Sequence, residues 1–355
     1  MYDEKGISAG ENMRVGIIGL GRAGSTHLQA CGSVPAINVA AVCDPAPSAR
    51  RAMHNGTRAY ADLATMLRAE QLDAVTICVP PAQHVPLAIH CLEQGLHVLS
   101  EKQLAVTSRE ALELISTARR RQRVMQVASK FRHVPEIQRL REILRAGELG
   151  DPIDFEISFC SPVDMSKRWN ALPASSGGGV IIDNGCHAFD IVHFLFGSVT
   201  RVHTARLKPV QRLGVEDAAT VRVWAGDGVV GNVRLSWSWA TGSDAYVTVH
   251  GTRGSAEIGW NGARIRLAGK EWQPIGGRYD KLDAHRRMHA CFVDTVSGAT
   301  EPWIAPIECV RIVATVEAAY RSMHSGAWER ILVPTDTARV DRVSHEPGLA
   351  LQLQW

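Results

Sequence analysis

The sequence contains no apolar run near the roughly 20 residues that a helix needs to cross a bilayer, so no membrane-spanning segment is expected. Charge of either sign is nearly balanced, with a formal net charge of +3 over 355 residues. The densest group of cations, Arg119, Arg120 and Arg121, falls where a helix is predicted to end, and cations suit that end of the helix dipole. The sequence therefore predicts neither a membrane nor a nucleic-acid partner.

The eight cysteines are scattered, and none forms a C-x-x-C pair. Zinc ribbons and disulfide frameworks need clustered spacing, so we expect reduced thiols and no metal site. Residues 1–11 are polar and lack the apolar stretch of a secretory signal, which predicts a loose leader. Together these features predict a cytoplasmic protein.

Two halves of different rhythm divide the chain, whose length exceeds the roughly 250–300 residues of a usual single core. In residues 1–134, short β-branched runs alternate with longer helical stretches, which predicts an α/β domain with a doubly wound parallel sheet. In residues 135–335, alternating runs separated by turn residues predict an α+β domain with a largely antiparallel, open-faced sheet. Residues 336–355 have weak patterning and stay unassigned.

Hydrophobic periodicity also predicts individual elements. The first half is expected to have strands at residues 15–18, 39–43, 74–79, 97–99 and 124–128, and helices at 60–67, 85–93 and 109–119. The second half is expected to have helices at residues 136–146, 190–196 and 308–324, and strands at 153–159, 199–206, 218–224, 229–239, 246–250 and 256–258. Asp62 is expected near the start of its helix. Trp237 and Trp239 are expected on either the open face or the core side of the second sheet.

A glycine-rich turn, residues 19–24, follows the first predicted strand and opens the first helix. Gly19 permits the tight turn, Gly21 lets the backbone approach a pyrophosphate, and Gly24 allows close packing of helix on strand. Backbone N–H groups and the helix dipole then favour an anion. Because the motif has the required strand–turn–helix context, it predicts a nicotinamide or flavin dinucleotide site.

The choice of cofactor depends on the end of the second strand. Asp44 follows that strand, where a carboxylate can hydrogen-bond the ribose hydroxyls and repel the 2′-phosphate of NADP. NAD is therefore favoured, with NADP as the alternative. Arg50 and Arg51 could shelter a phosphate or be solvated helix residues, and Arg22 could contact a cofactor phosphate or solvent.

Two short segments carry residues suited to catalysis. Lys102 comes just after the strand that ends at Ser100, and the carboxyl ends of strands border the ligand crevice in such sheets. Asp183 and His187 follow three glycines and lie four residues apart, a spacing that places both side chains on one face of a helix. A surface lysine and a buried histidine held by a local carboxylate are the structural alternatives.

These residues resemble the glucose–fructose oxidoreductase/inositol dehydrogenase/rhizopine-catabolism (Gfo/Idh/MocA) family over residues 14–332. The resemblance lies in Glu101-Lys102, in the glycines at 177–179 and in the pattern Asp183-x-Gly185-x-His187-x-x-Asp190. Further matches are Pro80-Pro81-x-x-His84, Arg132 with Pro135, and Glu216-Asp217. The chain departs from the family at Gln103, where proline is common, which leaves the geometry of that loop open, and in its longer tail.

The resemblance implies a Rossmann domain followed by a substrate-binding and oligomerisation domain. It implies a cofactor site formed by Gly19, Gly21, Arg22, Ala23, Gly24, Asp44, Val79, Pro80, Pro81, His84, Glu101 and Lys102. It also implies catalysis by Lys102, Asp183 and His187. In that mechanism His187 takes the hydroxyl proton as hydride moves to nicotinamide, Lys102 stabilises the alkoxide, and Asp183 orients the pair.

The expected substrate is a polyol such as a sugar, amino sugar or cyclitol. Substrate contacts are expected from Lys102, Asp183 and His187 and from Arg168 and Trp169, whose segment could instead be a surface loop without function. Asp190 could hold a substrate hydroxyl or be structural. An NAD-retaining glycoside hydrolase and a non-catalytic sugar or dinucleotide sensor are the rival functions, and a homodimer or homotetramer is expected because the open sheet face must be covered.

Overall fold

The computed structural model of the protein describes residues 12–51, 57–226 and 228–335. The expected leader at residues 1–11 and the unassigned tail at 336–355 lie outside the described residues. Within the described ranges, no helix is both long enough and apolar enough to cross a membrane.

The first half contains a six-stranded parallel sheet in the order β3-β2-β1-β4-β5-β6, which is the strand order of a Rossmann domain. Its strands are β1 (Met13–Ile18), β2 (Ile37–Cys43), β3 (Arg58–Tyr60), β4 (Ala74–Ile77), β5 (His97–Ser100) and β6 (Met125–Val127). Its helices are α1 (Arg22–Cys31), α2 (Pro47–Arg51), α3 (Leu63–Ala69), α4 (His84–Glu93) and α5 (Ser108–Arg120). The predicted doubly wound α/β fold is thus confirmed.

One boundary in this half differs from the prediction. Tyr60 belongs to strand β3 rather than to a helix, and α3 begins only at Leu63. Asp62 caps α3 by accepting a hydrogen bond from the backbone N–H of Thr65 at 2.8 Å, as expected of a residue at the helix start. The apolar spacing of the segment continues across this cap, which explains why periodicity extended the helix too far.

The second half contains a nine-stranded sheet in the order β14-β13-β12-β11-β7-β10-β9-β8-β15, in which only β7 and β10 pair in parallel. Its strands are β7 (Pro152–Cys160), β8 (Val199–Arg206), β9 (Ala218–Ala225), β10 (Val229–Ser236), β11 (Ala245–Gly251), β12 (Gly254–Gly259), β13 (Ala263–Leu267), β14 (Gln273–Gly276) and β15 (Glu329–Arg330). Its helices are α6 (Pro135–Arg145), α7 (Pro173–Ser176), α8 (Val180–Asp183), α9 (Gly185–Phe196), α10 (Lys281–Val296) and α11 (Pro306–Ser325). The predicted α+β class with a largely antiparallel sheet is confirmed.

The core side of this sheet is apolar and the opposite side is polar. Leu235 and Trp237 are buried, so the core-side alternative applies to Trp237, whereas Trp239 is half-buried and its ring lies 5.0 Å from the guanidinium of Arg234. Along the open side, His203, Arg222, Asn232 and Glu156 occupy neighbouring register positions on β8, β9, β10 and β7.

Helix α10 was not predicted, and it joins the two halves. It packs against α1, and its Met288 and Phe292 share a hydrophobic cluster with Met13 and Leu20 of the first half. Two of the other residues that α10 buries are histidines, His285 and His289, so its apolar stripe is interrupted and hydrophobic periodicity is weak.

Candidate active site

A cavity of about 1140 Å³ lies between the carboxyl ends of the parallel strands and the second half of the chain. Its volume exceeds the roughly 300–1,000 Å³ typical of a small-ligand site, which leaves room for a dinucleotide and a second molecule. The predicted site residues that line it are Gly19, Gly21, Arg22, Ala23, Asp44, Val79, Pro80, Pro81, Glu101, Lys102, Arg168, Trp169, Asp183 and His187. Most of the residues that the sequence singles out therefore meet in one place.

The glycine-rich turn has the geometry of a phosphate cradle. Gly19 has a φ of +90°, a left-handed value that side chains disfavour. A Cβ on Gly21 would meet no described atom within 4 Å, so that backbone is open to the cavity. Gly24 lies behind the turn, where a Cβ would collide with the carbonyl oxygen of Gly19. Because α1 begins at Arg22, its N-terminal dipole faces the same space, and the turn fits the pyrophosphate of a dinucleotide.

Asp44 is held at the cavity wall by two backbone contacts. Its carboxylate accepts hydrogen bonds from the N–H of Leu20 at 2.7 Å and of Ala46 at 2.8 Å. Each carboxylate oxygen can accept a second hydrogen bond, so a ribose hydroxyl can still bind. Arg50 donates to the carbonyl oxygens of Asp44 and Pro45, each at 2.6 Å, whereas the side chain of Arg51 lies outside the described residues.

His84 supports the cavity from behind rather than lining it. It is fully buried, and its ring nitrogens lie 2.7 Å from the carbonyl oxygen of Gln103 and 2.8 Å from that of Val79. The expectation of direct cofactor contact is therefore corrected: His84 ties together two loops that form the wall. The peptide bond between Lys102 and Gln103 is cis, and the Gln103 amide donates to the carbonyl oxygen of Ala105 at 2.6 Å.

Lys102 and Asp183 form an ion pair across the two halves. The Lys102 Nζ lies 2.6 Å from Oδ1 of Asp183 and 2.8 Å from its carbonyl oxygen. Asp183 ends α8 and His187 lies in the first turn of α9, and the two helices are separated only by Asn184. Asp183 and His187 were predicted on one face of one helix but belong to two consecutive helices. Both residues still line the cavity with Lys102.

Glu216 explains the glycines that precede this helix pair. Its buried carboxylate accepts hydrogen bonds from the N–H of Gly179 at 3.2 Å, the N–H of Ile181 at 3.0 Å and the hydroxyl of Tyr320 at 2.8 Å. A Cβ on Gly178 would collide with the Tyr320 hydroxyl, and one on Gly179 with the carbonyl oxygen of Glu216. The glycines thus let the chain approach the carboxylate that fixes the start of α8.

Burial and charge set the protonation states of the central residues. Burial lowers the pKa of Lys102, but the Asp183 carboxylate outweighs it, and the pKa lies above its ordinary value. Burial, reinforced by Lys102 and Lys130, lowers the pKa of His187 well below its ordinary value. At neutral pH the site therefore combines an ammonium with a neutral imidazole.

Behind Lys102 lies a buried chain of hydrogen bonds. Because a carboxylate only accepts, His27 donates from Nε2 to Glu101 at 2.9 Å, and its Nδ1 then accepts from Nε2 of His289 at 2.8 Å. His27, Glu101 and His285 also have possible metal-ligand atoms within 4.8 Å of one another, and nitrogen and oxygen ligands of this kind suit transition metals. The hydrogen bonds above join His27 to Glu101 and His289, whereas Nδ1 of His285 lies 2.7 Å from the carbonyl oxygen of Lys281. Its histidines carried no sequence signal because they are far apart in the chain.

The cavity residues missed from the sequence include Lys130, Phe131, Phe159 and Trp260. Phe131 lies edge-on to His187 with ring centroids 5.1 Å apart. Phe159 and Trp260 pack against Phe131. Phe131 and Trp260 come from segments that show no motif. Only the position of Lys130 after β6, at the same sheet edge as Lys102, could have indicated it.

Asp190 lies outside the cavity lining. It is buried and forms an ion pair with Arg132, whose Nε lies 2.7 Å from its Oδ1. Arg132 also donates to Glu308 at 3.0 Å and to the carbonyl oxygen of Trp303 at 2.9 Å. Of the two roles expected for Asp190, the geometry favours the structural one over the substrate contact.

A dinucleotide-binding half, joined to an α+β half with a lysine, a carboxylate and a histidine at the junction, defines an NAD(P)-dependent oxidoreductase acting on CH–OH groups. Residues 13–129 match the oxidoreductase-family model with an NAD-binding Rossmann fold, and residues 137–257 match the GFO/IDH/MocA C-terminal domain. Together the two matches cover more than half of the chain. The protein belongs to the Gfo/Idh/MocA oxidoreductase family, and its cofactor is NAD.

Individual relatives agree with this assignment. The rhizopine catabolism protein MocA of Rhizobium meliloti is 32% identical over 311 residues, which cover 86% of this chain and 93% of the relative. The D-apiose dehydrogenase of Paraburkholderia graminis is 27% identical over 334 residues, 87% of each chain. An Agrobacterium radiobacter oxidoreductase, solved with NAD+, L-tartaric acid and magnesium, shares the fold with a TM-score of 0.82 and 21% identity, covering 90% of this chain and 98% of that one.

Proposed function

We propose that this protein is an NAD-dependent dehydrogenase that interconverts a secondary alcohol and a ketone on a sugar, amino sugar or cyclitol. The observation that carries the proposal is the ion pair of Lys102 with Asp183, beside His187, in the same cavity as the glycine-rich turn. The names of the relatives, a rhizopine catabolism protein and an apiose dehydrogenase, support a polyol substrate.

Lys102 has the hydrogen-bonding capacity that this reaction needs. An ammonium group has three donors, and two of those of Lys102 go to Asp183, so one remains for a substrate oxygen. A positive charge near that oxygen stabilises the negative charge that develops as the alcohol loses its proton. Asp183 contributes by holding the ammonium in place and protonated. Bound NAD supplies the nicotinamide carbon that exchanges the hydride.

His187 is the proton acceptor in this proposal. Its lowered pKa keeps the imidazole neutral, and the neutral form has the lone pair that accepts a proton from the substrate hydroxyl. Lys102 lowers the pKa of the bound alcohol while His187 takes its proton. Arg168 and Trp169 reach the cavity from the loop after β7 and provide a guanidinium and an indole face for substrate contacts.

The proposal extends to domains and assembly. Residues 1–134 would bind the dinucleotide and residues 135–335 the substrate, with α10 as the element of the second range that packs on the first. A homodimer or homotetramer would cover the polar open side of the nine-stranded sheet. Light scattering in solution tests the assembly, and a monomer at micromolar concentration would reject it.

The reaction is tested by incubating the protein and NAD with a panel of cyclitols, free sugars, amino sugars, sugar nucleotides and pseudosaccharides. Formation of NADH is followed by its absorbance. Substrate-dependent NADH formation that Lys102→Ala abolishes is the expected result. Release of a leaving group from a glycoside without net NADH would indicate a hydrolase instead. Ligand binding without either reaction would indicate a sensor.

A further inference from the structure

The substrate end of the cavity has an excess of positive charge. Lys130, Lys167 and Arg168 line the cavity, and none of the three forms an ion pair with another described residue. The two carboxylates there are already engaged, Asp183 with Lys102 and Glu101 with His27. Lys130 is close enough to His187 for its charge to lower the pKa of that imidazole, and Arg168 lines the same cavity.

Lys130 lies in surroundings that disfavour its charged form. It follows β6, and its Nζ lies 5.3 Å from the ring centroid of Phe131. Burial lowers its pKa to about 8, and Lys102 and Lys281 act in the same direction against Glu101 and Asp183. Because Lys130 is half-buried in the cavity wall and forms no ion pair with a described residue, an anionic ligand in the cavity would stabilise its ammonium.

The surface beside Lys130 is aromatic. Phe131, Phe159 and Trp260 line the same part of the cavity, with the Phe131 and Trp260 ring centroids 6.4 Å apart. Because Phe131 also contacts the ring of His187, this surface borders the reacting group. Aromatic faces receive the apolar C–H face of a saturated ring better than an extended, fully hydrated chain. The surface therefore favours a cyclic substrate over a linear one.

We infer that the substrate is a cyclic polyol bearing an oxyanion, a carboxylate or a phosphate monoester, that pairs with Lys130 and Arg168. The inference rests on the proposed function and narrows its substrate class. An amino sugar would bring its ammonium toward Lys130 and Arg168, and a neutral ring would leave both cations unpaired. The anion gives the site its specificity, while Lys102 and His187 act on the hydroxyl.

Substrates that share a ring but differ in charge test whether the site selects an anion. NAD reduction is measured with glucose, glucuronate, glucose 6-phosphate and glucosamine, and with myo-inositol and its 1-phosphate. The expected result is a higher kcat/KM for an acid than for its neutral ring, and the preferred acid distinguishes carboxylate from phosphate. The preference should fall by about tenfold to a hundredfold in Lys130→Met, the usual weight of a charge-assisted hydrogen bond. It should persist in Lys130→Arg and in the control Lys270→Met, which removes an exposed lysine from the β13–β14 turn.

The pH dependence of KM provides a second test of the inference. Lys130 loses its charge as pH rises through about 8, so the KM of the acid should rise above that pH, whereas the KM of its neutral ring should not. The titratable and charged groups around Lys130 are Glu101, Lys102, Asp183, His187, Lys281 and His285. Repeating the profile in Lys130→Met separates its contribution, because only the limb due to Lys130 disappears.

Two results would overturn the inference while leaving the dehydrogenase proposal intact: equal or better turnover of the neutral rings, or a preference for glucosamine. If no ring reduces NAD, the dehydrogenase proposal fails, and binding decides the inference separately. Isothermal titration of glucuronate and glucose 6-phosphate into the protein saturated with NADH should then show binding that Lys130→Met weakens about tenfold or more. Absence of such binding for both acids overturns it.

Discussion

The ammonium of Lys102 donates to both the carboxylate and the backbone carbonyl of Asp183, at 2.6 and 2.8 Å. Lys102 follows the fifth strand of the parallel sheet, and Asp183 ends a short helix of the second half, 81 residues later. One side chain is thus fixed by two acceptors of a single residue, which leaves its third proton for a ligand.

Replacing Lys102 by Met should lower kcat by about 10²–10³ because the developing alkoxide loses its charged donor. Binding of NADH, measured by its fluorescence, should change little, since the glycine-rich turn is untouched. Lys270→Met, which removes a lysine of an exposed turn, is the matched control and should retain wild-type turnover. Wild-type kcat in Lys102→Met would reject the catalytic role.

Asp183→Asn should make the activity sensitive to alkaline pH. The carboxylate holds the pKa of Lys102 above its ordinary value, whereas burial alone lowers it. Without the carboxylate, Lys102 should lose its proton at lower pH, so the alkaline limb of kcat/KM should move down from above pH 10. The profile is best recorded with a neutral substrate on the Lys130→Met background, which removes the other lysine that titrates in this range. An unmoved limb would contradict the coupling.

The pH profile of kcat/KM should show no acid limb near the ordinary pKa of a histidine, because His187 titrates below it. Burial and the neighbouring cations keep the pKa of its imidazole well below 6.5, so protonation begins only at lower pH. The kcat/KM of the wild type should therefore be flat from about pH 6 to 7.5. His187→Asn should lower kcat by about 10²–10⁴ across that range. A limb at pH 6.5 that disappears in His187→Asn would show that the imidazole titrates normally.

Glu216→Gln should destabilise the start of α8. The replaced carboxylate accepts from Gly179, Ile181 and Tyr320, and the amide of glutamine brings donors of its own into a buried set of donors. We expect a loss of about 1–3 kcal/mol in the free energy of unfolding, measured in urea. Glu271→Gln, in an exposed turn, is the control and should be neutral. If Glu216→Gln were as stable as Glu271→Gln, Glu216 would not stabilise the start of α8.

Asp44→Ala should relax the choice between cofactors. The carboxylate at the cavity wall would repel the 2′-phosphate of NADP, and its removal should raise the ratio of kcat/KM for NADP to that for NAD by about tenfold. Steady-state rates with each cofactor give the ratio directly. An unchanged ratio would mean that another residue sets the preference for NAD.

Much of the first half could be predicted because its signals are local. The glycine turn, Asp44 and Lys102 each follow a strand, and the carboxyl ends of parallel strands meet at one sheet edge. The spacing after the glycine run indicated Asp183 and His187, the resemblance supplied their roles, and both line the cavity with Lys102.

The remaining features depend on contacts between distant segments. Helix α10 escaped prediction because it buries histidines, and its His285 reaches the cavity from near the end of the second half. Trp260 and Phe131 are ordinary core residues by sequence, and only the folded sheet brings them beside His187. His84 and Asp190 matched family positions, yet a motif cannot tell a residue that touches a ligand from one that supports the wall behind it.

The buried guanidinium of Arg132 has a mechanical consequence. It lies in the same short turn as Lys130, residues 130–133, and binds Asp190 of α9, the helix of His187, as well as Glu308 of α11. Swinging the two halves apart would separate these charges away from water, at a cost of about 3–5 kcal/mol. Arg132 therefore ties the turn after β6 to the helix that carries His187, and it disfavours motion of one half of the chain against the other.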